Sequence, residues 1–384
     1  MKKKTKVILI SLAGVFAMVI PLYFVAQFGR DETNYQEDYI NSVKPIEVRK
    51  LQYNFESENY QILLPNDDEH FRILQLSDTH FVGGRMRNSL DLKTLKAIYT
   101  MVDYAKPDLV IYTGDILYPT LYLGSNDNLK GAKILNSFFE KMEVPFLYEY
   151  GNHDTEYYGT ATSDDINEIF QSNKYCIAKE DEEILFKSGR LSQMLELRNS
   201  DGTLNNVLIL LDSGSYLNGS SFFSGYANFA ISQSYWYEKK IQKIMERENY
   251  KNTSDVKSLA FFHIPPYEYK EATELYKKGS SEVQKIFGEN YEKVSSPNTA
   301  SRLMSKVIEF GSTQAMFFGH DHKNFLALKY KGIEFYYGHS IDYRAYPTLK
   351  FDTRYRGGLI IDINSDSTYK IEPKLLVDIE NEVK

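Results

Sequence analysis

Of the seven histidines in the 384-residue chain, five fall where a short apolar run breaks into polar residues. Residues 71–76 run into Ser77-Asp78-Thr79-His80, residues 109–112 into Thr113-Gly114-Asp115, and residues 146–150 into Gly151-Asn152-His153-Asp154. Further along, 207–211 run into Asp212-Ser213-Gly214, 259–262 into His263-Ile264-Pro265, and 315–318 into Gly319-His320-Asp321-His322. Imidazole, carboxylate and carboxamide groups suit hard or borderline divalent cations, or iron, rather than soft copper(I). A lone Asp-x-His is most often a turn. The two imidazoles of Gly-His-Asp-His, two residues apart at a strand end, can point into one space. Five histidines in the same kind of position point to one shared metal site. Cys176 is the single cysteine, which excludes a disulfide framework and a thiolate zinc site.

Runs this short, rich in branched and aromatic residues, read as buried strands. Between the first two, residues 89–106 place Leu92, Leu95, Ile98, Tyr99, Val102 and Ala105 on one helical face, with Ser89 as a cap and Pro107 as a stop. Amphipathic helices are also expected over 131–142, 232–249 and 299–310. Strands alternating with helices predict an α/β fold with right-handed crossovers. Ligands of such sheets bind beyond the carboxyl ends of the strands, where every one of these polar clusters lies.

The ordered set Asp-x-His, Gly-Asp, Gly-Asn-His-Asp, His and Gly-His-x-His resembles the calcineurin-like metallophosphoesterases, and most of all the purple-acid-phosphatase relatives that retain Asp-x-His. The likeness covers about residues 70–362 and extends to Leu211-Asp212-Ser213-Gly214, Trp236 and Gly332-Ile333-Glu334-Phe335. It implies a four-layer α/β/β/α sandwich and a dinuclear centre of manganese, iron or zinc. Asp78, His80 and His322 would hold one ion, Asn152, His263 and His320 the other, with Asp115 bridging. His153 would stabilise the phosphoryl group and protonate the leaving oxygen, and Asp154 would orient its ring. A hydroxide bridging the ions would attack in line. The resemblance favours a phosphomonoester substrate, with a diesterase acting on nucleotides or lipid headgroups, or a non-catalytic binding module, as alternatives. True purple phosphatases lack the histidine of Asp-x-His and use a tyrosine three residues after the bridging aspartate. Both His80 and Tyr118 are present here; His80 is the expected ligand and Tyr118 a packing residue. His339 is expected to be structural, and Asp212 a turn or supporting acid.

Lys2, Lys3, Lys4 and Lys6 precede an uncharged apolar run over 7–28, with Asp31, Glu32, Glu37 and Asp38 after it. As a helix that run spans about 30 Å, the thickness of a bilayer core. The expected organisation is a basic cytoplasmic stub (1–6), a signal-anchor (7–28), a polar tether (29–45) and a catalytic domain (46–384). The positive-inside rule puts that domain on the extracytoplasmic side of the cell membrane; cleavage of the segment would make it secreted. Lys+Arg total 45 against 52 Asp+Glu, a net charge of −7, and no basic stripe is present, so duplex nucleic acid is not an expected partner.

Overall fold

The computed structural model describes residues 34–56, 59–64, 70–84, 88–120, 125–179, 181, 183, 191–217, 225–344 and 355–382. The expected stub, anchor and first part of the tether lie outside these. Among the described residues no helix is long and apolar enough to cross a membrane.

Two mixed sheets form the frame. The smaller runs, in spatial order, Tyr369–Leu375, Gly357–Ile363, Phe71–Leu76, Leu109–Thr113 and Phe146–Glu149. The larger runs Gln52–Asn54, Tyr60–Leu63, Gln193–Arg198, Leu204–Leu210, Ser258–Phe261, Thr313–Phe318, Ile333–Tyr337, Ala327–Tyr330 and Gln284–Phe287. The strands that precede the polar clusters pair in parallel: 71–76 with 109–113 and 146–149 in one sheet, and 204–210, 258–261, 313–318 and 333–337 in the other. Their carboxyl ends therefore share one edge.

The period-2 alternation of a strand sorts the larger sheet's side chains to two cores. Leu208, Leu210, Phe261 and Phe317 pack in one cluster with Ile73, Ile111 and Leu359 of the smaller sheet. Val207, Ile209, Met316 and Phe318 pack on the other side with Trp236, Tyr237, Leu303 and Met304 from helices Ile231–Arg247 and Arg302–Phe310. The helix expected over 89–106 is Asn88–Ala105. The one expected from residue 299 begins at Arg302, because the Ser301 hydroxyl accepts from Met304 N and so caps the helix there.

The two sheets are joined at the shared edge. Ser77, just past the 71–76 strand, makes a parallel bridge to Ser340, just past 333–337, and Ile341 N donates to Ser77 O at 3.1 Å. The approach leaves no room for a side chain at Gly338, where a Cβ would sit 2.3 Å from Gln75 Oε1.

The polar tether expected over 29–45 is replaced from Asn34 to Ser42 by a helix packed on the domain. Ile40 is buried, Tyr39 stacks on Phe138 at a centroid distance of 6.3 Å, and Ile46 N donates to Met142 O. Few of its residues are apolar, and those few point to helices Asn88–Ala105 and Asn128–Met142, so tertiary contact rather than hydrophobic periodicity makes it a helix. Ile40→Ala is expected to lower the unfolding free energy by about 2 kcal/mol or more, the cost of truncating a buried aliphatic side chain. A denaturant midpoint equal to wild type would restore the tether.

Candidate metal centre

Three of the turns that carry candidate ligands leave the usual backbone regions as their strands end. Asp78, His80 and Asp115 have φ of 55°, 46° and 49°, and His320 has 90°, all in the sparsely populated left-handed region. Backbone bonds hold them there: Asp78 N donates to Gly114 O at 3.1 Å, His80 N to Asp115 O at 3.0 Å, and His320 N to Asp78 Oδ2 at 3.1 Å. Gly151 and Gly319 keep the space open, since a Cβ on Gly151 would lie 2.1 Å from Asp115 Oδ1 and one on Gly319 would lie 1.8 Å from Ser77 Oγ.

The result is a buried cage. Asp115 Oδ2 lies 3.2 Å from His80 Nε2 and 3.1 Å from His263 Nε2, while its Oδ1 accepts from His153 N at 2.8 Å. To one side, His322 Nε2 is 3.4 Å from Asp78 Oδ1, and the His80 and His322 rings are 4.7 Å apart. To the other side, His263 and His320 are 5.0 Å apart. Donor atoms of Asp78, His80 and His322 lie within 4.8 Å of one another, as do those of Asp115, His263 and His320, and those of His80, Asp115 and His153. Asp115 belongs to two of these three groups, and one of the two includes His153, which the resemblance does not make a ligand. Asn152 and His320 each turn a buried lone-pair atom, Oδ1 and Nε2, to a place with no protein hydrogen-bond partner. Uncommitted oxygen and nitrogen donors beside carboxylates are what two divalent cations require, so the residues fit the group.

The outer partners fix which imidazole nitrogen faces inward. His263 Nδ1 donates to Thr113 O at 2.8 Å, which leaves Nε2 as the donor atom. Asp342 hydrogen-bonds His80 Nδ1 at 3.2 Å and, through its other oxygen, stands 3.3 Å from His322 Nδ1 as an ion-pair partner. Asp342 is absent from the sequence-derived set. Its signal is a further polar cluster, Gly338-His339-Ser340-Ile341-Asp342, after the strand Ile333–Tyr337. His339 is buried and packs on Phe325 at 4.7 Å, a structural histidine whose burial holds it down at about 4.

Electrostatics follow from crowding. Burial works against charge on Asp115 and Asp342, but the neighbouring imidazoles, led by His263 and His322 respectively, hold both carboxyls well below the usual range. Burial likewise opposes protonation of His80 and His263, yet Asp115 and, for His80, Asp342 push both up to about 9. Burial and the adjacent His263 drive His320 down to about 3.

His153 lies at the cage's open side, its ring 5.3 Å from that of His80 and 5.0 Å from that of Tyr118. The carboxylate found on its Nδ1 is Glu156, at 2.8 Å, and not the expected Asp154. Asp154 accepts from Leu117 N and Gly151 N, both at 2.7 Å, and so braces the Asp115 and Asn152 turns against each other. Tyr118, expected as packing, has its ring 4.9 Å from His80 and so forms part of the site wall. Asp212 is buried and caps Gly214 N at 2.9 Å, as expected of a turn acid.

A model of the calcineurin-like phosphoesterase family matches residues 71–324, and the chain belongs to that family. It is 27% identical over 318 residues to a protein of Arabidopsis thaliana named "Probable inactive purple acid phosphatase 29", covering 77% of each chain. A second protein of that plant, "Probable inactive purple acid phosphatase 14", is 26% identical over 318 residues, 76% of this chain and 75% of the other. Among solved structures, a dimetal phosphatase from Danio rerio matches with a TM-score of 0.47 and 11% identity, over 80% of this chain and 97% of that one.

Two measurements check the cage. Asp342→Ala is expected to weaken metal binding about 10–100-fold, since it removes both carboxylate oxygens that face the outer nitrogens of His80 and His322; calorimetric titration of the stripped protein reads this. The second is a pH profile. His80 and His263 take protons near 6.5 unfolded and near 9 folded without metal, so their stabilising contribution is complete below pH 6.5 and is lost as pH rises through 9. The denaturant midpoint of stripped protein is expected to fall across that window. The loaded protein, whose rings are held unprotonated by the cations, is expected to lack that fall.

Proposed function

We propose that the chain is a dinuclear-metal phosphomonoesterase on a four-layer α/β/β/α sandwich, held by residues 7–28 at a membrane with its catalytic domain outside. The observation that carries the reading is a contrast inside the cluster. His80, His263, His320 and His322 are buried, whereas the His153 side chain is 25% exposed and tied at Nδ1 to Glu156. A ligand-type cage with one carboxylate-backed imidazole at its mouth suits the hydrolysis of an ester docked on it.

Asp78, His80 and His322 would hold one ion and Asn152, His263 and His320 the other, with Asp115 shared between them. When bound, two such ions supply positive charge that acidifies a water and offsets the charge of the phosphoryl oxygens. Glu156 holds the His153 ring with Nε2 on the edge away from it. Nε2 then hydrogen-bonds the phosphoryl group. It gives its proton to the leaving oxygen as water oxygen bonds to phosphorus and the ester P–O bond breaks. Preference for a monoester is supported by the phosphatase names of the relatives. Placement outside the membrane is supported by the lysines before the apolar run and the acids after it. The word "inactive" in those names favours a second reading, a binding module without turnover; the full ligand set and His153 in this chain support the enzyme instead.

The test is turnover of an aryl phosphomonoester and an aryl phosphodiester by the full chain, with bound metal quantified in the same sample. His153→Ala is expected to lower kcat by about 100-fold or more at unchanged metal content, and Glu156→Gln to give a smaller loss in the same direction. Faster diester cleavage would overturn the monoester assignment. Two bound ions with no turnover of either ester would leave the binding module.

A further inference from the structure

Asn152 differs in kind from the other residues assigned to the cations. A carboxylate offers oxygen at either end, but a carboxamide has one end that can ligate a cation and one that cannot. Something must therefore choose which end faces inward. Asn152 Nδ2 donates to the Tyr216 hydroxyl at 2.7 Å, and Asn152 Oδ1 is the buried atom left without a protein partner. Tyr216 itself is held in place. Leu217 N donates to Gly225 O and Ala227 N to Ser215 O, both at 2.8 Å, and Tyr216 and Tyr226 form an antiparallel bridge with ring centroids 5.6 Å apart. The Tyr226 ring in turn meets His320 edge-on at 4.6 Å. Both tyrosines thus bear on residues of the same half of the cage. The described contacts of Asp78, His80 and His322 involve neither of them.

We infer that Tyr216 is a positioning residue that turns the Asn152 oxygen inward and so sets the affinity of one cation site, the Asn152–His263–His320 half, independently of the other. The inference rests on the dinuclear reading above. Without the phenol, the amide is free to rotate and present Nδ2, which repels a cation, and its N–H loses a buried acceptor.

The experiment is a Co²⁺ titration of the metal-stripped full chain, followed by calorimetry and by visible absorption, for wild type and Tyr216→Phe. Two ions are expected to bind wild type. In Tyr216→Phe one binding step is expected to weaken by about 10–100-fold, the range for loss of a partner outside the ligand shell, with the other within twofold of wild type. Asn152→Asp supplies oxygen at both ends of the side chain, so adding Tyr216→Phe to it is expected to change either step by less than twofold. His322→Ala, which removes a ligand from the opposite half, is expected to leave the Tyr216→Phe effect intact. Equal weakening of both steps, with a lower melting temperature of the metal-free chain, would make Tyr216 merely structural and overturn the inference. No change in either step would overturn it as well. Wild type that binds no ion would overturn the dinuclear reading itself, a result distinct from both.

Discussion

A single carboxylate oxygen, Asp115 Oδ2, stands 3.2 Å from one imidazole and 3.1 Å from another, and those imidazoles come from different sheets. His80 follows a strand of the smaller sheet and His263 a strand of the larger. Around this atom the protein buries several ionisable groups, an arrangement that is costly unless each charge is met by an opposite one. Protons on His80, His263 and His322 meet the charges of Asp78, Asp115 and Asp342 in the metal-free chain; cations at the same nitrogens would meet them in a loaded one. Proton and metal thus compete for one set of nitrogens, and the site has two ways of being neutral but no inexpensive way of being empty of both.

The surrounding backbone is shaped to hold that oxygen in place. Asp115 Oδ1 is occupied by His153 N, and the glycines at 151 and 319 let neighbouring turns come closer than any side chain allows. Asp154 ties two of those turns together through their amides, and Asp342 ties two rings together through their outer nitrogens.

What the sequence disclosed and what it withheld divide along a physical line. The strand at 71–76 and the helix near 89–106 could be read because their apolar periods are local and their stops, a polar cluster and Pro107, are local too. The strand-end histidines could be read because a parallel sheet sends all such ends to one edge. Glu156 and Tyr216 could not, since a hydrogen-bond partner is chosen by the path of a loop and not by distance along the chain. The resemblance makes Asp154 the partner of His153, yet the turn swings its carboxylate to Leu117 N and Gly151 N. Helix 34–42 is hidden for a related reason: its polar composition reads as a linker until Phe138 is seen beneath Tyr39.

Asp78 and His322, which lie on the same side of the cage, are separated by most of the domain's sequence, and Asp342 comes later still. While the chain is being synthesised, its first histidines emerge long before their partners, and no half-site is complete until residues 320 and 322 have appeared. On the proposed assignment, metal capture would wait for the close of folding. Cations bound to the proposed ligand set would therefore be drawn from the surroundings in which the last strands of the larger sheet come together.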